Sequence, residues 1–97
     1  EEDKQVLSCI CVGIDRDVRT KTGKVLTTIR LNYLGNLVLA KWFNQGFIKN
    51  TFKIGQSYDL MGKFKRVANR LEVINPISNK LMIFTSEIPK EFYDIVK

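Results

Sequence analysis

Five runs of β-forming residues, each closed by turn chemistry, account for most of the chain from Val6 to Asn75. The first, Val6 to Ile14, carries Val6, Ile10, Val12 and Ile14 on one side. Strand side chains alternate between faces, so the second run, Val25 to Tyr33, gathers Val25, Thr27, Ile29, Leu31 and Tyr33 on one face. Gly35-Asn36 breaks it, and Leu37 to Phe43 follows as a third run, apolar on both faces. The fourth, Ser57 to Phe64, sets Tyr58, Leu60, Gly62 and Phe64 against Ser57, Asp59, Met61 and Lys63. Its Gly62 suits a bulge or a sharp bend. Lys65 to Asn69 reads as a turn, and Arg70 to Asn75 as a fifth run stopped by Pro76.

The connections are equally legible. Asp15 to Lys24 is polar and charged and ends in turn chemistry. Gln45 to Ile54 is less regular, with Phe47, Ile48 and Phe52 lining one side of a short helix or turn. Past Pro76, Leu81 to Phe84 is expected to pair as a short edge strand. Ile88-Pro89-Lys90-Glu91 is expected to open a terminal helix carrying Phe92, Ile95 and Val96. A three-stranded meander, a short connecting element and then a hairpin is the order of the OB-fold, a five-stranded Greek-key barrel. The expected fold is therefore mainly all-β: a single domain over 1–97, a short helix or turn between the third and fourth strands, and a tail, 79–97, whose structure stays open.

A chain of 97 residues supports one core and no elaborate second unit. No apolar stretch approaches the roughly 20 residues of a membrane span, and no signal-peptide pattern opens the sequence. It begins Glu-Glu-Asp-Lys rather than with Met, which suggests a piece of a longer protein. Cys9 and Cys11 are its only cysteines, and it has no histidine. Two apart on a strand, the thiols share a side, which suits neither a disulfide nor a complete metal site. They are read as reduced thiols, and the expected setting is cytoplasmic. The same lack of histidine removes the ordinary triad and the histidine base. Asp15, Asp17, Asp59 and Glu72 are scattered among basic residues. Gly62-Lys63-Phe64 lacks the hydroxyl and the upstream glycine of a phosphate loop. The chain is expected to hold no catalytic residue, metal or cofactor.

A formal net charge of +6 favours an anionic partner. OB barrels bind on the face of strands two and three, flanked by the loops joining strands one to two and four to five. Here the first loop carries Arg16, Arg19, Lys21 and Lys24. The second carries Lys65 and Arg66, with Arg70 at its exit. Seven of the sixteen basic residues thus fall in or beside those loops. Between them lies Lys41-Trp42-Phe43-Asn44-Gln45-Gly46-Phe47-Ile48-Lys49, three aromatic rings with a lysine at each end. Aromatic faces beside cations can stack on bases and hold phosphates. Trp42 is expected to pack in the barrel. For Phe43 and Phe47, packing and stacking stand side by side.

Trp42-Phe43-Asn44-Gln45, the aromatic Phe47, Ile48-Lys49, Ile54-Gly55, Gly62-Lys63 and Asn75-Pro76 together resemble the OB-fold wedge domain of RecG, the bacterial ATP-dependent DNA helicase of replication-fork rescue. The resemblance runs from about Val6 to Ser78. It implies a module inserted in a longer helicase chain, whose ATP- and magnesium-dependent motor lies elsewhere. It also implies binding to branched or single-stranded DNA at stalled forks and recombination junctions, and contact with the parent's remaining domains. Carried over by motif position, the stacking aromatics are Phe43 and Phe47. Gly46 stands where family members commonly have Pro, and Phe47 where they often have Tyr, so the stacking face is kept and a hydroxyl is lost. Two other readings remain open. One is a free-standing OB protein for single-stranded nucleic acid. The other is a protein-interaction barrel, marked by an exposed apolar patch at Leu37 and Leu39.

Overall fold

The computed structural model of the chain describes residues 3–78. They form β1 (Gln5–Ile14), β2 (Val18–Arg19), β3 (Val25–Tyr33), β4 (Asn36–Phe43), a short 3-10 helix (Gly46–Thr51), β5 (Ser57–Gly62), β6 (Lys65–Val67), β7 (Arg70–Ile74) and β8 (Ile77–Ser78). The domain is mainly β, and each of the five expected runs contains a strand. The expected edge strand at Leu81 to Phe84 and the terminal helix lie outside the described residues.

All strands join one sheet in the order β6–β7–β4–β3–β1–β5–β8, with β2 paired to β3 off that path. Every pairing is antiparallel except that of β4 with β7. The meander β1, β3 and β4 follows from short turns. Leu34 and Gly35 both take positive φ, 51° and 89°, the two-residue geometry that suits strand twist. The Asn32 side chain accepts the Gly35 amide at 3.0 Å.

Lys65 to Val67, expected as turn, is strand β6. A tight turn, with Ala68 at φ 58°, folds the run back so that Lys65, Arg66 and Val67 pair in a backbone ladder with Glu72, Leu71 and Arg70. β5 and β6 stand near opposite ends of the hydrogen-bonded path, yet only Lys63 and Phe64 separate them in the chain. They are two halves of one bent strand. Gly62 sits at the bend, where an added Cβ would lie 2.8 Å from Val73 Cγ2 and 3.5 Å from Pro76 Cα. Among the described residues no ladder joins β5 directly to β7, so hydrogen bonding does not close the sheet into a barrel.

The first strand corrects an expectation. Its buried residues are Cys9 and Cys11, while Ile10 and Val12 stand about half exposed. A bulge between Cys11 and Gly13 then shifts the register, so that Ile14 pairs with the inward Ile29 and leaves the side it would share with Val12 by simple alternation. β1 is flanked by β3 and β5, and the face that meets Leu31 and Tyr58 is the thiol face. On β3 the expected face holds: Thr27, Ile29 and Leu31 are fully buried.

The 3-10 helix plugs one end of the core. Asn44 at φ 56° turns the chain out of β4, a conformation asparagine tolerates. Ile48 and Phe52 then enter the core. Phe52 lies between Trp42 and Tyr58, with ring centroids 5.7 and 4.6 Å away and tilted planes. Tyr58 accepts the Lys53 amide at 2.7 Å through its hydroxyl.

Cys9 and Cys11 are free and buried. Burial, aided by nearby Asp59, pushes the Cys9 thiol up to about 12, and burial raises Cys11 as well. Neither is expected to react with a thiol reagent in the native protein at neutral pH, so labelling should follow unfolding. Above about pH 9 the thiols ionise in the unfolded chain, while folding holds Cys9 protonated up to about pH 12 and shifts Cys11 in the same direction. Stability therefore falls as pH rises. Melting temperatures measured between about pH 8 and 10 check this. A variant with both cysteines replaced by alanine should show a shallower decline, and an identical slope would contradict the linkage.

Candidate nucleic-acid interface

The sheet register decides which side chains share a surface. Inward residues alternate with outward ones, so Ala40 and Trp42 point into the core and Lys41 and Phe43 point out. Across the ladders, one outer row reads Arg30, Leu39, Glu72, Lys65, and the next reads Thr28, Lys41, Ile74. The outer face of β3 and β4 therefore continues over β7 onto β6.

The two basic groups stand at opposite ends of this face. Val25 and Leu26 lie beside Phe43, and the Asn44 amide and side chain bind Val25 O and Val25 N at 2.7 and 3.0 Å. The β2–β3 turn, with Lys21 and Lys24, thus sits at the Phe43 end. Because β7 runs parallel to β4, its first residues lie at the other end, where Val38 is beside Leu71. From Leu37 to Phe43 the face spans about 20 Å at roughly 3.3 Å per residue.

At the first end the Lys24 ammonium lies 6.0 Å from the centre of the half-buried Phe43 ring. Such a contact contributes about 0.5–1 kcal/mol at an exposed site. Phe47 is 60% exposed, the most solvent-facing aromatic ring among the described residues. Trp42 is buried, as expected, and its indole N–H donates to Pro76 O at 3.3 Å. Arg16, Lys21 and Lys24 are exposed and have no ion pair among the described residues. Arg19 differs. Its guanidinium folds back onto Gly23 O at 2.9 Å, within a turn that also holds Thr20 N on Lys24 O at 2.7 Å.

At the second end the expected trio divides. Arg70 Nε donates to Glu72 Oε2 at 2.9 Å, and Glu72 also takes Lys41 Nζ at 3.2 Å through Oε1. Arg70, then Lys41, hold the Glu72 carboxyl below the usual carboxylate range. Lys65 and Arg66 are exposed and unpaired among the described residues, but as neighbours on a strand they point to opposite faces. Only Lys65 shares the outer face. Arg30, in the same cross-strand row as Glu72 and Lys65, is charge-compensated too, with its Nε 2.7 Å from Asp15 Oδ1. Unpaired cations are thus left in the β1–β3 connection, at Arg16, Lys21 and Lys24, and on β6, at Lys65 and Arg66, among the described residues.

Lys41, one of the two lysines flanking the aromatic run in the sequence, and Arg30 lie on this face, whereas Asp17 meets the inward Thr27 of β3. Arg30 and Asp17 gave no signal in the sequence as parts of a site, since their partners lie 10 or more residues away. The apolar patch expected at Leu37 and Leu39 is not exposed, with Leu39 buried and Leu37 half-buried. No helix among the described residues is long and apolar enough to cross a membrane. Scans against protein-family models, curated proteins and solved structures each return no match.

Proposed function

We propose that this chain is a non-catalytic DNA-binding module of the OB type, the wedge of a RecG-like ATP-dependent helicase acting at branched DNA in the cytoplasm. The observation that carries the reading is the end of the β3–β4 face. There Phe43 lies beside Lys24, and the segment that presents the exposed Phe47 meets Asp17, the chain neighbour of the unpaired Arg16. The OB assignment is supported by the pairing pattern: a meander, a helix, then a bent strand returning beside β1 and β7 running parallel to β4. Stacking on open bases needs no particular sequence, which fits recognition of a fork by shape. Phosphates are held by Arg16, Lys21, Lys24 and Lys65. Arg66 reaches them from the other side of β6, and Arg19 and Arg70 shape the two ends. ATP and magnesium belong to the parent motor, which together with the parent's other domains is this module's protein partner.

Salt titration tests the reading directly. With four or five phosphate contacts, the log–log dependence of single-strand affinity on salt should have a slope of about −3 to −3.5. Reversing Lys21 and Lys24 to Glu should weaken single-stranded, forked and duplex DNA alike, since phosphate contacts carry no sequence information. Salt-insensitive binding, or a double reversal without effect, would sink the proposal.

A further inference from the structure

Asp17 lies among cations, next to Arg16 and near the Lys21–Lys24 turn, in the region proposed to take phosphate. Its carboxylate is nevertheless fully engaged. Oδ1 accepts the hydroxyl of the fully buried Thr27 on β3 at 3.1 Å, and Oδ2 accepts Lys49 Nζ from the 3-10 helix at 2.7 Å. Lys49, with Thr27 assisting, holds the carboxyl below its ordinary value. The same Oδ2 lies 3.3 Å from where a Cβ on Gly46 would stand, so the backbone just before Phe47 closes against this carboxylate. Three chain segments meet at one side chain: the β1–β2 connection, β3, and the helix that presents Phe47.

We infer that Asp17 is a positioning residue that fixes the Gly46–Lys49 segment, and with it the place of Phe47, against β3. The inference rests on the DNA-binding reading for its consequence, although the positioning itself does not. The helix holds itself by few bonds of its own, among them Ile48 N–H to Gln45 O at 2.9 Å and Thr51 Oγ1 to Ile48 O at 2.7 Å. Ile48 and Phe52 anchor its inner side in the core. Its outer side, where Phe47 stands, is tied to the sheet through Lys49 and Asp17.

Charge and position predict opposite signs, which makes the inference testable. Asp17→Asn removes a negative charge and frees Lys49 for phosphate, so electrostatics alone predicts tighter binding to DNA. Loss of positioning predicts weaker binding. The experiment titrates an oligothymidylate of about 12 nucleotides with four proteins: the unaltered chain, Asp17→Asn, Phe47→Ala and the double variant. Amide hydrogen exchange is measured on the same four. Asp17→Asn is expected to weaken binding about fivefold on its own and less than about twofold when Phe47 is already absent, because the two act as one unit. In the free protein, exchange at the Ile48 amide should accelerate about tenfold while the amides of β3 and β4 keep their protection. Tighter binding by Asp17→Asn, or unchanged exchange at Ile48, overturns the inference. Should neither the unaltered chain nor Phe47→Ala bind the oligonucleotide, the DNA-binding reading falls, and the exchange rates still decide whether Asp17 fixes the segment.

Discussion

Trp42→Ala is expected to cost about 3–5 kcal/mol of folding stability, the range for truncating a large buried aromatic side chain. The indole is 1% exposed, tilts against Phe52 at 5.7 Å, and ties β4 to the chain after β7 through its bond to Pro76 O. Removing it opens a cavity where the helix plug meets the sheet and leaves that carbonyl without its donor. Trp42→Phe keeps most of the volume and loses only the donor, so about 1–3 kcal/mol should go. Urea unfolding followed by far-UV circular dichroism checks both values. A loss below about 1 kcal/mol for the alanine variant would place the ring outside the core.

Phe47→Ala should behave in the reverse manner. A ring left 60% exposed contributes little to the fold, so the melting midpoint should move by no more than about 0.5 kcal/mol. Binding to single-stranded or forked DNA should weaken by about 1–3 kcal/mol, the value of one stacked base, while plain duplex binding stays nearly constant. Paired and stacked bases offer the ring no open face. Phe43→Ala carries both effects. That ring is half-buried beside Leu26 and under the Lys24 ammonium, so a stability loss should accompany a binding loss of the same order as for Phe47. Thermal melts run beside fork and duplex titrations separate the contributions. Equal losses on fork and duplex would remove stacking from the account. If the proposed RecG-like helicase is the parent chain, its Phe43/Phe47 double variant is expected to retain ATPase activity and unwind forks poorly.

Alternation and turn residues were sufficient to place all five principal strands, a short helix or turn between β4 and β5, and a bulge or bend at Gly62. These are short-range properties. Val25 to Tyr33 must put Thr27, Ile29 and Leu31 on one side because strand geometry leaves no alternative. Trp42 was expected in the core, but its run is apolar on both faces, and only the pairing of β4 with β3 and β7 shows Lys41 and Phe43 facing outward. The basic loops and the aromatic run between them were also visible along the chain, although the exposure of Phe47 was not.

What tertiary structure decided is what depends on partners distant in sequence. β1 offered two faces of comparable hydrophobicity, one with two thiols and one with Ile10 and Val12. Pairing with β3 and β5 on either side chose the thiol face, and a bulge redirected Ile14. Whether a lysine or arginine is free was equally undecidable locally. Arg70 and Lys41 converge on Glu72, and Lys49 reaches Asp17 across 32 residues, while Lys21 and Lys24 stay unpaired among the described residues. The sequence by itself determined the five principal strands, the inward residues of β3 and the charge the chain carries, but not β2, β6 or β8. Only folding decided which cations are neutralised and which remain free at the ends of the β3–β4 face, because ion pairing depends on distances through space that the register of the sheet creates.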